Sequence, residues 1–412
     1  MTHKKIPIEQ LRVGMFVHEL GGSWLDHPFW RSSFKVDDAR QLAQLRGTNV
    51  RECWIDTARG LDVTAAPAAL SSPSAIPVSM PAPVAPAPSP RTTMAEELAQ
   101  ATALVAQARQ AVTSLFDDAR MGRTLAVPEC LPLVDDIASS VWRQPGAFVS
   151  LARLKSRDDY TYLHSVAVCA LMVSLSRVLG HDEEQARAAG LAGLLHDIGK
   201  AAVPLDLLNK PGKLSDAEFA QLKLHPERGH EMLEEGGEAG AGALDVCLHH
   251  HERHDGRGYP HGLAGDQLSV LARMGAVCDV YDAITSNRPY KAAWDPAESL
   301  ARMAEWNGHF DRSIFHAFVK ALGIYPVGAL VRLQSQRLAV VTQPNEARPL
   351  LPTVRAFFSL RSGMHVTPVD IDLAAPSCSD GIVGRESNQQ WRFAHLDELW
   401  AGRETLRRLG RL

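Results

Sequence analysis

LLHDIGK, residues 194–200, places a histidine and an aspartate side by side within a run of apolar residues. A stretch with such flanks is typically buried, and a buried polar group without a partner costs about 1–3 kcal/mol. The His196–Asp197 pair is therefore expected to be hydrogen-bonded or bound to a metal ion, since imidazole and carboxylate are both common metal ligands. Alone, the pair is weak evidence for a metal site, because most histidines are ordinary core or surface residues.

Four further histidines and one aspartate recur on both sides of this pair, in helical stretches or at helix ends where most flanking positions are apolar. They are His164 in YTYLHSV (160–166), His225 in LKLHPERGHEM (222–232), His250 and His251 in HHERHDGRGYP (250–260), and Asp279 in AVCDVYDA (276–283). Helical folds build metal centres from imidazoles and carboxylates that project inward from several helices. The order and spacing of these seven residues therefore predict a metal centre.

The types of ligand restrict the metal and the chemistry. Asp197 can bridge two cations, and two further histidines for each cation would complete two partial shells. Two metals roughly 3.5–4 Å apart would clamp a bridging hydroxide and phosphate oxygens for in-line displacement. Ligation by nitrogen and oxygen alone suits iron or manganese, leaves zinc open, and excludes a structural zinc site built on cysteines.

Two more charged residues lie close to the predicted ligands. Lys200 follows Asp197 by three residues and is predicted to meet phosphate charge, and Asp282 follows Asp279 by three and is predicted to orient that lysine. A zinc-protease interpretation of HHERH fails, because that motif needs a glutamate directly after the first of two histidines four residues apart. Glu252 follows His251, and His254 is only three residues after His251.

LLHDIGK, HHERHDGRGYP and DVYDAITSNRPYK (279–291) together resemble the HD-GYP family, a branch of the HD metallophosphohydrolases, over roughly residues 140–325. The resemblance implies an all-α catalytic domain with two or three metal ions. It also implies hydrolysis of cyclic-di-GMP to linear pGpG, and in some members on to GMP. The family's metal ligands fall on His164, His196, Asp197, His225, His250, His251 and Asp279. Its active-site lysine falls on Lys200, and its substrate-contacting arginine and lysine fall on Arg288 and Lys291.

The GYP loop is predicted to form the rim of the site and to contact substrate through Gly258 and Tyr259. Its glycines, Gly256 and Gly258, are expected to supply positive φ angles, and Pro260 fixes the exit of the turn. The resemblance also implies contact with GGDEF-domain diguanylate cyclases through this loop.

Members with a third metal carry a glutamate one helical turn before the first histidine, where this chain has Tyr160. Two metals and hydrolysis that stops at pGpG are therefore the prediction.

The remaining sequence divides into segments of different character. The predicted fold is mainly α, with an HD-type helical domain at 127–325, a small α+β N-terminal domain at 1–57 and a β-rich extension at 326–412. A proline- and alanine-rich linker (58–93) and a connecting helix (94–126) join the first two. DDARQLAQLRG (37–47) predicts a short helix, VRECWID (50–56) predicts a strand, and HLDELWAGRETLRRL (395–409) predicts a closing helix. The N-terminal segment resembles an uncharacterised domain that often precedes HD-GYP, and a regulatory role is inferred for it. Its aromatic residues Trp24, Phe29, Trp30 and Phe34 are interpreted as core in preference to a ligand surface.

Composition narrows the remaining function classes. A net charge of −4 gives no electrostatic footprint for DNA or RNA. Six dispersed cysteines and the lack of a leader-like or 20-residue apolar stretch predict a cytoplasmic protein with no membrane span. The apolar stripe of the 94–120 helix leaves open packing on the next domain or a homodimer. Two other functions stay open: a non-catalytic receptor or cyclase-docking scaffold, and a phosphohydrolase acting on mononucleotides or guanosine tetraphosphate.

Overall fold

A computed structural model describes residues 3–20, 34–36, 42, 46, 52–61, 92–154, 160–286 and 293–411. The chain divides into two compact units, Met1–Pro88 and Ser89–Leu412. The predicted helix at 37–47, apart from residues 42 and 46, and the aromatic side chains of the 24–34 segment lie outside the described residues.

The N-terminal unit contains an antiparallel sheet with strand order β1-β4-β2-β3. Its strands are β1 (His3–Pro7), β2 (Phe16–Leu20), β3 (Phe34–Lys35) and β4 (Glu52–Asp56). A small core of buried apolar residues supports it, including Ile6, Leu11, Met15, Val17 and Ile55. The strand predicted from VRECWID is confirmed as β4.

Helices make up the second unit as far as residue 322. They are α1 (Met94–Arg120), α2 (Leu131–Arg143), α3 (Pro145–Ala152), α4 (Tyr160–Val178), α5 (Glu183–Leu195), α6 (Leu205–Leu208), α7 (Asp216–Leu222), α8 (His225–Gly236), α9 (Gly240–His249), α10 (Val270–Thr285), α11 (Pro296–Glu305) and α12 (Arg312–Leu322). A 3₁₀ turn, Ile198–Ala202, follows α5 and packs against α8. Helix α4 lies at the centre, since it contacts α1, α5 and α10.

Helix α1 packs against this bundle. It begins with a capping box, in which the Thr93 side chain accepts from the Glu96 amide and Glu96 reaches back to the Thr93 amide. The fully buried Glu97 pairs with both Nε and Nη2 of Arg143 at 2.8 Å. The apolar stripe is buried within the chain at Leu98, Val105, Ala108, Val112 and Leu115. The surface that suggested a homodimer is thus occupied by packing within the same unit.

The C-terminal part is a five-stranded antiparallel sheet with order β8-β7-β6-β5-β9. Its strands are β5 (Leu330–Leu333), β6 (Arg337–Gln343), β7 (Thr353–Ser359), β8 (Met364–Asp372) and β9 (Ile382–Arg385). Three short helices follow, α13 (Asn388–Trp391), α14 (Glu398–Ala401) and α15 (Arg403–Arg408). The single helix predicted at 395–409 is wrong, because Gly402 with a φ of +81° separates α14 from α15.

The fold class predicted from the sequence is confirmed: a mainly helical protein with a small sheet at each end. No helix in the described ranges is both long enough and apolar enough to cross a membrane.

Candidate metal centre

Five segments of the helical bundle bring imidazoles and carboxylates to one place. Among the described residues, two groups of potential ligands form, and the donor atoms within each lie within 4.8 Å of one another. One group is Asp197, His225, His250 and His251, and the other is His164, His196 and Asp279. The structure therefore brings all seven predicted ligands together.

Helix ends position most of these side chains. His196 and Asp197 follow the last residue of α5, His225 is the first residue of α8, and His250 and His251 follow α9. His164 and Asp279 instead project from within α4 and α10. Gly199 allows the turn after α5 to meet the start of α8, because a Cβ at Gly199 would lie only 1.9 Å from the His225 carbonyl oxygen.

Asp197 lies between the two groups. Its Oδ2 is 3.3 Å from His196 Nε2 and 3.5 Å from His164 Nε2. Its Oδ1 is 3.2 Å from His225 Nε2 and 3.6 Å from His250 Nε2. Each carboxylate oxygen thus faces one group, which is the arrangement expected of a bridging carboxylate.

Asp279 also reaches both groups. Its Oδ1 lies 2.9 Å from His164 Nε2, and its Oδ2 lies 3.5 Å from His251 Nδ1. Two carboxylates therefore join the two sets of histidines.

Backbone carbonyls orient three of the imidazoles. The Nδ1 atoms of His196, His225 and His250 lie 2.8, 2.7 and 3.0 Å from the carbonyl oxygens of Gly193, Leu222 and Cys247. A carbonyl oxygen can only accept, so each Nδ1 carries the proton and each Nε2 presents a lone pair to the centre. This tautomer is the one that binds a metal through Nε2.

Asp282 orients a fourth imidazole. Its Oδ2 lies 2.6 Å from His164 Nδ1, the nitrogen that faces away from Asp279. The prediction that Asp282 orients Lys200 is wrong, because within the described residues the Lys200 ammonium pairs with Asp197. A carboxylate that holds the far nitrogen of a ligating histidine is a common support for a metal site.

The donors fit divalent cations. His196 Nε2 and Asp197 Oδ1 are fully buried and have no hydrogen-bond partner among the described residues, although buried polar atoms are nearly always paired. Both atoms point into the space shared by the seven side chains, where a cation would satisfy them. The centre contains nitrogen and oxygen donors without thiolate, as Mn²⁺, Fe²⁺ and Zn²⁺ all accept.

Both bridging carboxylates and His251 are in the protonation states that metal binding requires. Burial disfavours a charged Asp197, but Lys200, His196 and His225 together outweigh burial and hold the pKa of that carboxyl well below its ordinary value. Burial is likewise outweighed at Asp279, where the hydrogen bond from His164 and the nearby His251 and His196 together keep the pKa well below the usual range.

Burial, with the neighbouring His250, lowers the pKa of His251 strongly. At His164 burial lowers the pKa, but the hydrogen bonds to Asp279 and Asp282 outweigh burial and raise it, so a cation bound at Nε2 would displace the proton on that nitrogen. Ionised carboxylates beside a neutral imidazole are ready to bind a cation.

The GYP loop lies against the centre. The Tyr259 ring is 4.7 Å from the His251 ring, centroid to centroid, and the Tyr259 amide donates to the His251 carbonyl. Gly256 has a φ of +74° as predicted, but the prediction of positive φ is wrong for Gly258. Gly258 is needed for space instead, because a Cβ there would lie 2.4 Å from the Glu252 Cα. The Tyr259–Pro260 peptide is cis.

Several predicted residues are not placed. Arg288 and Lys291 lie outside the described residues. Tyr160 begins α4, but its side chain is also outside what the structure describes. Their substrate contacts and the choice between two and three metals therefore stay predictions.

The sequence interpretation missed the supports around the ligands. Glu252 is buried and accepts from the His261 amide at 2.7 Å, which ties down the end of the GYP loop. Its place directly after the two histidines was the available signal. The carbonyl partners of the histidines leave no signal, because every residue type carries a carbonyl.

Comparison with known proteins places both regions in described families. Residues 143–314 match the model of the HD domain, and residues 3–130 match a domain of unknown function, DUF3391. The chain is 54% identical to the cyclic di-GMP phosphodiesterase PA4108 of Pseudomonas aeruginosa, over 97% of this chain and 96% of that protein.

Two more distant relatives match over a smaller share of the chain. The cyclic di-GMP phosphodiesterase response regulator RpfG of Xanthomonas campestris is 43% identical over 34% of this chain and 38% of its own length. The 3'3'-cGAMP-specific phosphodiesterase 1 of Vibrio cholerae is 34% identical over 40% of this chain and 38% of its own. Among solved structures, Bd1817, an HDG"Y"P protein from Bdellovibrio bacteriovorus, is 16% identical with a TM-score of 0.45, over 77% of this chain and 98% of that one.

Proposed function

The chain belongs to the HD-domain cyclic di-GMP phosphodiesterases, and from this premise we propose that it hydrolyses cyclic di-GMP at the centre formed by Asp197, Asp279 and five histidines. The observation that carries the proposal is the pair of buried donor groups joined by the two carboxylates. A buried cluster of this kind is costly without cations, because it holds two ionised carboxylates in a low-dielectric interior.

We infer two divalent ions, iron or manganese. His164, His196, Asp197 and Asp279 would hold one, and Asp197, His225, His250, His251 and Asp279 the other. Such ions, when bound, acidify water and neutralise phosphate oxygens. The imidazole and carboxylate donors, without thiolate, suit iron and manganese, and zinc is the alternative that metal analysis distinguishes.

The protein's own residues have distinct tasks in this proposal. Asp197 joins the two halves of the centre, and Asp282 keeps the Nε2 of His164 turned inward. Lys200 is paired with Asp197 and still partly exposed, so its ammonium can meet a phosphate oxygen of the substrate. Arg288, Lys291, Gly258 and Tyr259 are the proposed substrate contacts at the rim, with a guanidinium fork suited to phosphate or guanine edges.

We also propose which product the reaction yields. Tyr160 stands where a glutamate would support a third metal, which favours a single cut that yields pGpG without further hydrolysis to GMP.

The rim loop is a proposed docking surface for a GGDEF-domain cyclase, and the N-terminal unit is a proposed regulatory domain. A homodimer through α1 is not retained, since its stripe is buried within the chain. Free cysteines throughout the described residues support a cytoplasmic location.

Turnover with defined products tests the proposal. The full chain, loaded anaerobically with Fe(II) or Mn(II), is incubated with cyclic di-GMP, and the products are separated by chromatography. We expect pGpG as the main product. No pGpG or GMP with any divalent metal would contradict the function, and 3'3'-cGAMP in a parallel reaction shows whether another cyclic dinucleotide is preferred.

A further inference from the structure

We propose that Phe219 and Lys223 form a second binding surface for the cyclic dinucleotide beside the metal centre. Lys223 would contact the phosphate that is not being cleaved, and the Phe219 ring would stack on a purine base. The proposal rests on the proposed function for the nature of the ligand. It assigns two residues that the ligand pattern of the sequence did not single out.

The end of α7 fixes Phe219 and Lys223 relative to His225, one of the proposed metal ligands. Phe219 and Lys223 are four residues apart, and the Lys223 amide donates to the Phe219 carbonyl at 3.0 Å, so the two side chains share one helical face. The carbonyl of Leu222, the residue before Lys223, accepts a hydrogen bond from His225 Nδ1 at 2.7 Å. The same turn of chain therefore positions a histidine of the centre and this pair of side chains.

A row of contacts runs outward from the centre. The His251 ring lies 4.7 Å from the Tyr259 ring, and the Lys223 Nζ lies 5.1 Å from the centroid of the same Tyr259 ring. The Nζ is also 4.8 Å from the centroid of Phe219. An ammonium held by two aromatic rings within about 6 Å is favourably placed by cation–π attraction. The lysine is thereby positioned near the predicted substrate contact Tyr259 and does not extend freely into solvent.

The charge of Lys223 has no carboxylate partner among the described residues. Neighbouring lysines differ: Lys200 pairs with Asp197, and Lys210 pairs with Glu218 at 2.6 Å. An ammonium that is held in place but not neutralised is suited to a phosphate oxygen. A cyclic dinucleotide carries two phosphodiesters, so a cation beside the centre can bind one while the other occupies the metals.

Phe219 presents an aromatic surface to solvent. Its side chain is 44% exposed, although Lys223 already contacts one part of the ring. A single exposed aromatic residue is ordinary on a protein surface. Beside a held cation and a site for a dinucleotide it has a use, because purine bases stack on aromatic rings with little dependence on the base.

Steady-state kinetics of the metal-loaded full chain test the proposal with three substrates. These are cyclic di-GMP, 3'3'-cGAMP, and bis(p-nitrophenyl) phosphate, which has neither a purine nor a second phosphate. We expect Lys223→Met to raise KM for both cyclic dinucleotides about tenfold, which is ~1.4 kcal/mol of binding. The increase for bis(p-nitrophenyl) phosphate should be much smaller. Lys223→Arg should restore the dinucleotide KM, since it keeps the charge and the cation–π contact.

Phe219→Leu is the second arm and removes the exposed ring together with its contact to Lys223. It should also raise the dinucleotide KM about tenfold, within the range for loss of one base–aromatic stack. This variant keeps the test valid if Lys223→Met fails to fold. Lys320→Met, at an exposed lysine on α12, is the matched control and should leave the KM for all three substrates unchanged. Metal content and thermal unfolding are measured for every variant.

The outcomes separate this inference from the proposed function. Equal losses on the dinucleotides and on bis(p-nitrophenyl) phosphate, or no loss with either variant, would overturn the binding surface. If the wild type hydrolyses 3'3'-cGAMP but not cyclic di-GMP, the proposed function fails and the KM for 3'3'-cGAMP decides the surface. If it hydrolyses only bis(p-nitrophenyl) phosphate, both proposals fail.

Discussion

The helical bundle and the C-terminal sheet belong to one compact unit, yet they bury opposite kinds of side chain. At the centre of the bundle His164, His196, Asp197, His225 and His250 are almost fully inaccessible to solvent. The core of the sheet contains only apolar residues of similar burial, among them Val331, Leu333, Val341 and Val354.

The difference separates residues kept for stability from residues kept for function. Apolar burial stabilises the sheet in proportion to the area removed from water. Burial of ionised carboxylates costs stability unless a partner compensates. The bundle therefore carries a cost that its fold does not need, and the proposed metal ions explain why it is tolerated.

Removal of the bridging carboxylate should have the largest effect. Asp197→Ala takes one ligand from each half of the centre, so we expect loss of metal and a fall in kcat/KM of more than about 100-fold, beyond the range for residues that only support ligands. Metal analysis and turnover of the same preparation check it. The matched control is Asp206→Ala, an exposed aspartate nearby. Full activity in Asp197→Ala would refute its role as a ligand.

A cavity in the C-terminal sheet should lower the stability of the protein without affecting metal binding. Leu333→Ala at a fully buried position is expected to lower the free energy of unfolding by about 2–5 kcal/mol, through lost burial and an unfilled cavity. Metal bound per folded chain should stay at the wild-type value. Urea unfolding and metal analysis measure the two quantities, with the half-exposed Val383→Ala of β9 as control. A parallel loss of metal would mean that the two regions are not independent.

The sequence predicts the bundle and its ligands far better than their supports. Apolar flanks make His164, His196, Asp197 and Asp279 polar exceptions in helical patterns, and the HHERHDGRGYP motif identifies His250 and His251. The order of these segments along the chain added His225, so all seven donors were recognisable. Asp282 was noticed, but its partner was not, because spacing along α10 does not reveal that it points to α4. Phe219 and Lys223 resemble an ordinary exposed helix face until the contact with Tyr259 is known. Strands β8 and β9 were missed, because Pro368 interrupts the alternation of β8 and β9 has only four residues.

The support of His164 should matter less than the ligands themselves. Asp282→Ala removes the carboxylate at His164 Nδ1, so we expect metal affinity to fall about 10–100-fold while the fold is retained. Competition with a metal-binding dye measures the affinity, and circular dichroism monitors the fold. Wild-type affinity in this variant would show that the backbone of α4 alone orients the imidazole.

Loss of the exposed capping box at the start of α1 should have the smallest effect, a modest loss of stability. Thr93→Ala removes the capping box of α1, which should cost about 1 kcal/mol of stability and leave metal content unaltered. Thermal unfolding and metal analysis provide the check, with Thr93→Ser as the conservative control. A drop in bound metal would indicate that the start of α1 influences the centre.

The number of metal ions per chain tests the central claim most directly. The wild type and Asp197→Ala are loaded anaerobically with Fe(II) or Mn(II) and freed of excess metal. Inductively coupled plasma mass spectrometry then gives the metal concentration, and its ratio to the protein concentration gives the number of ions per chain. Two ions per wild-type chain, and loss of both in Asp197→Ala, are the expected result. One ion or none in the wild type, or a variant that keeps both, would contradict a centre joined by Asp197.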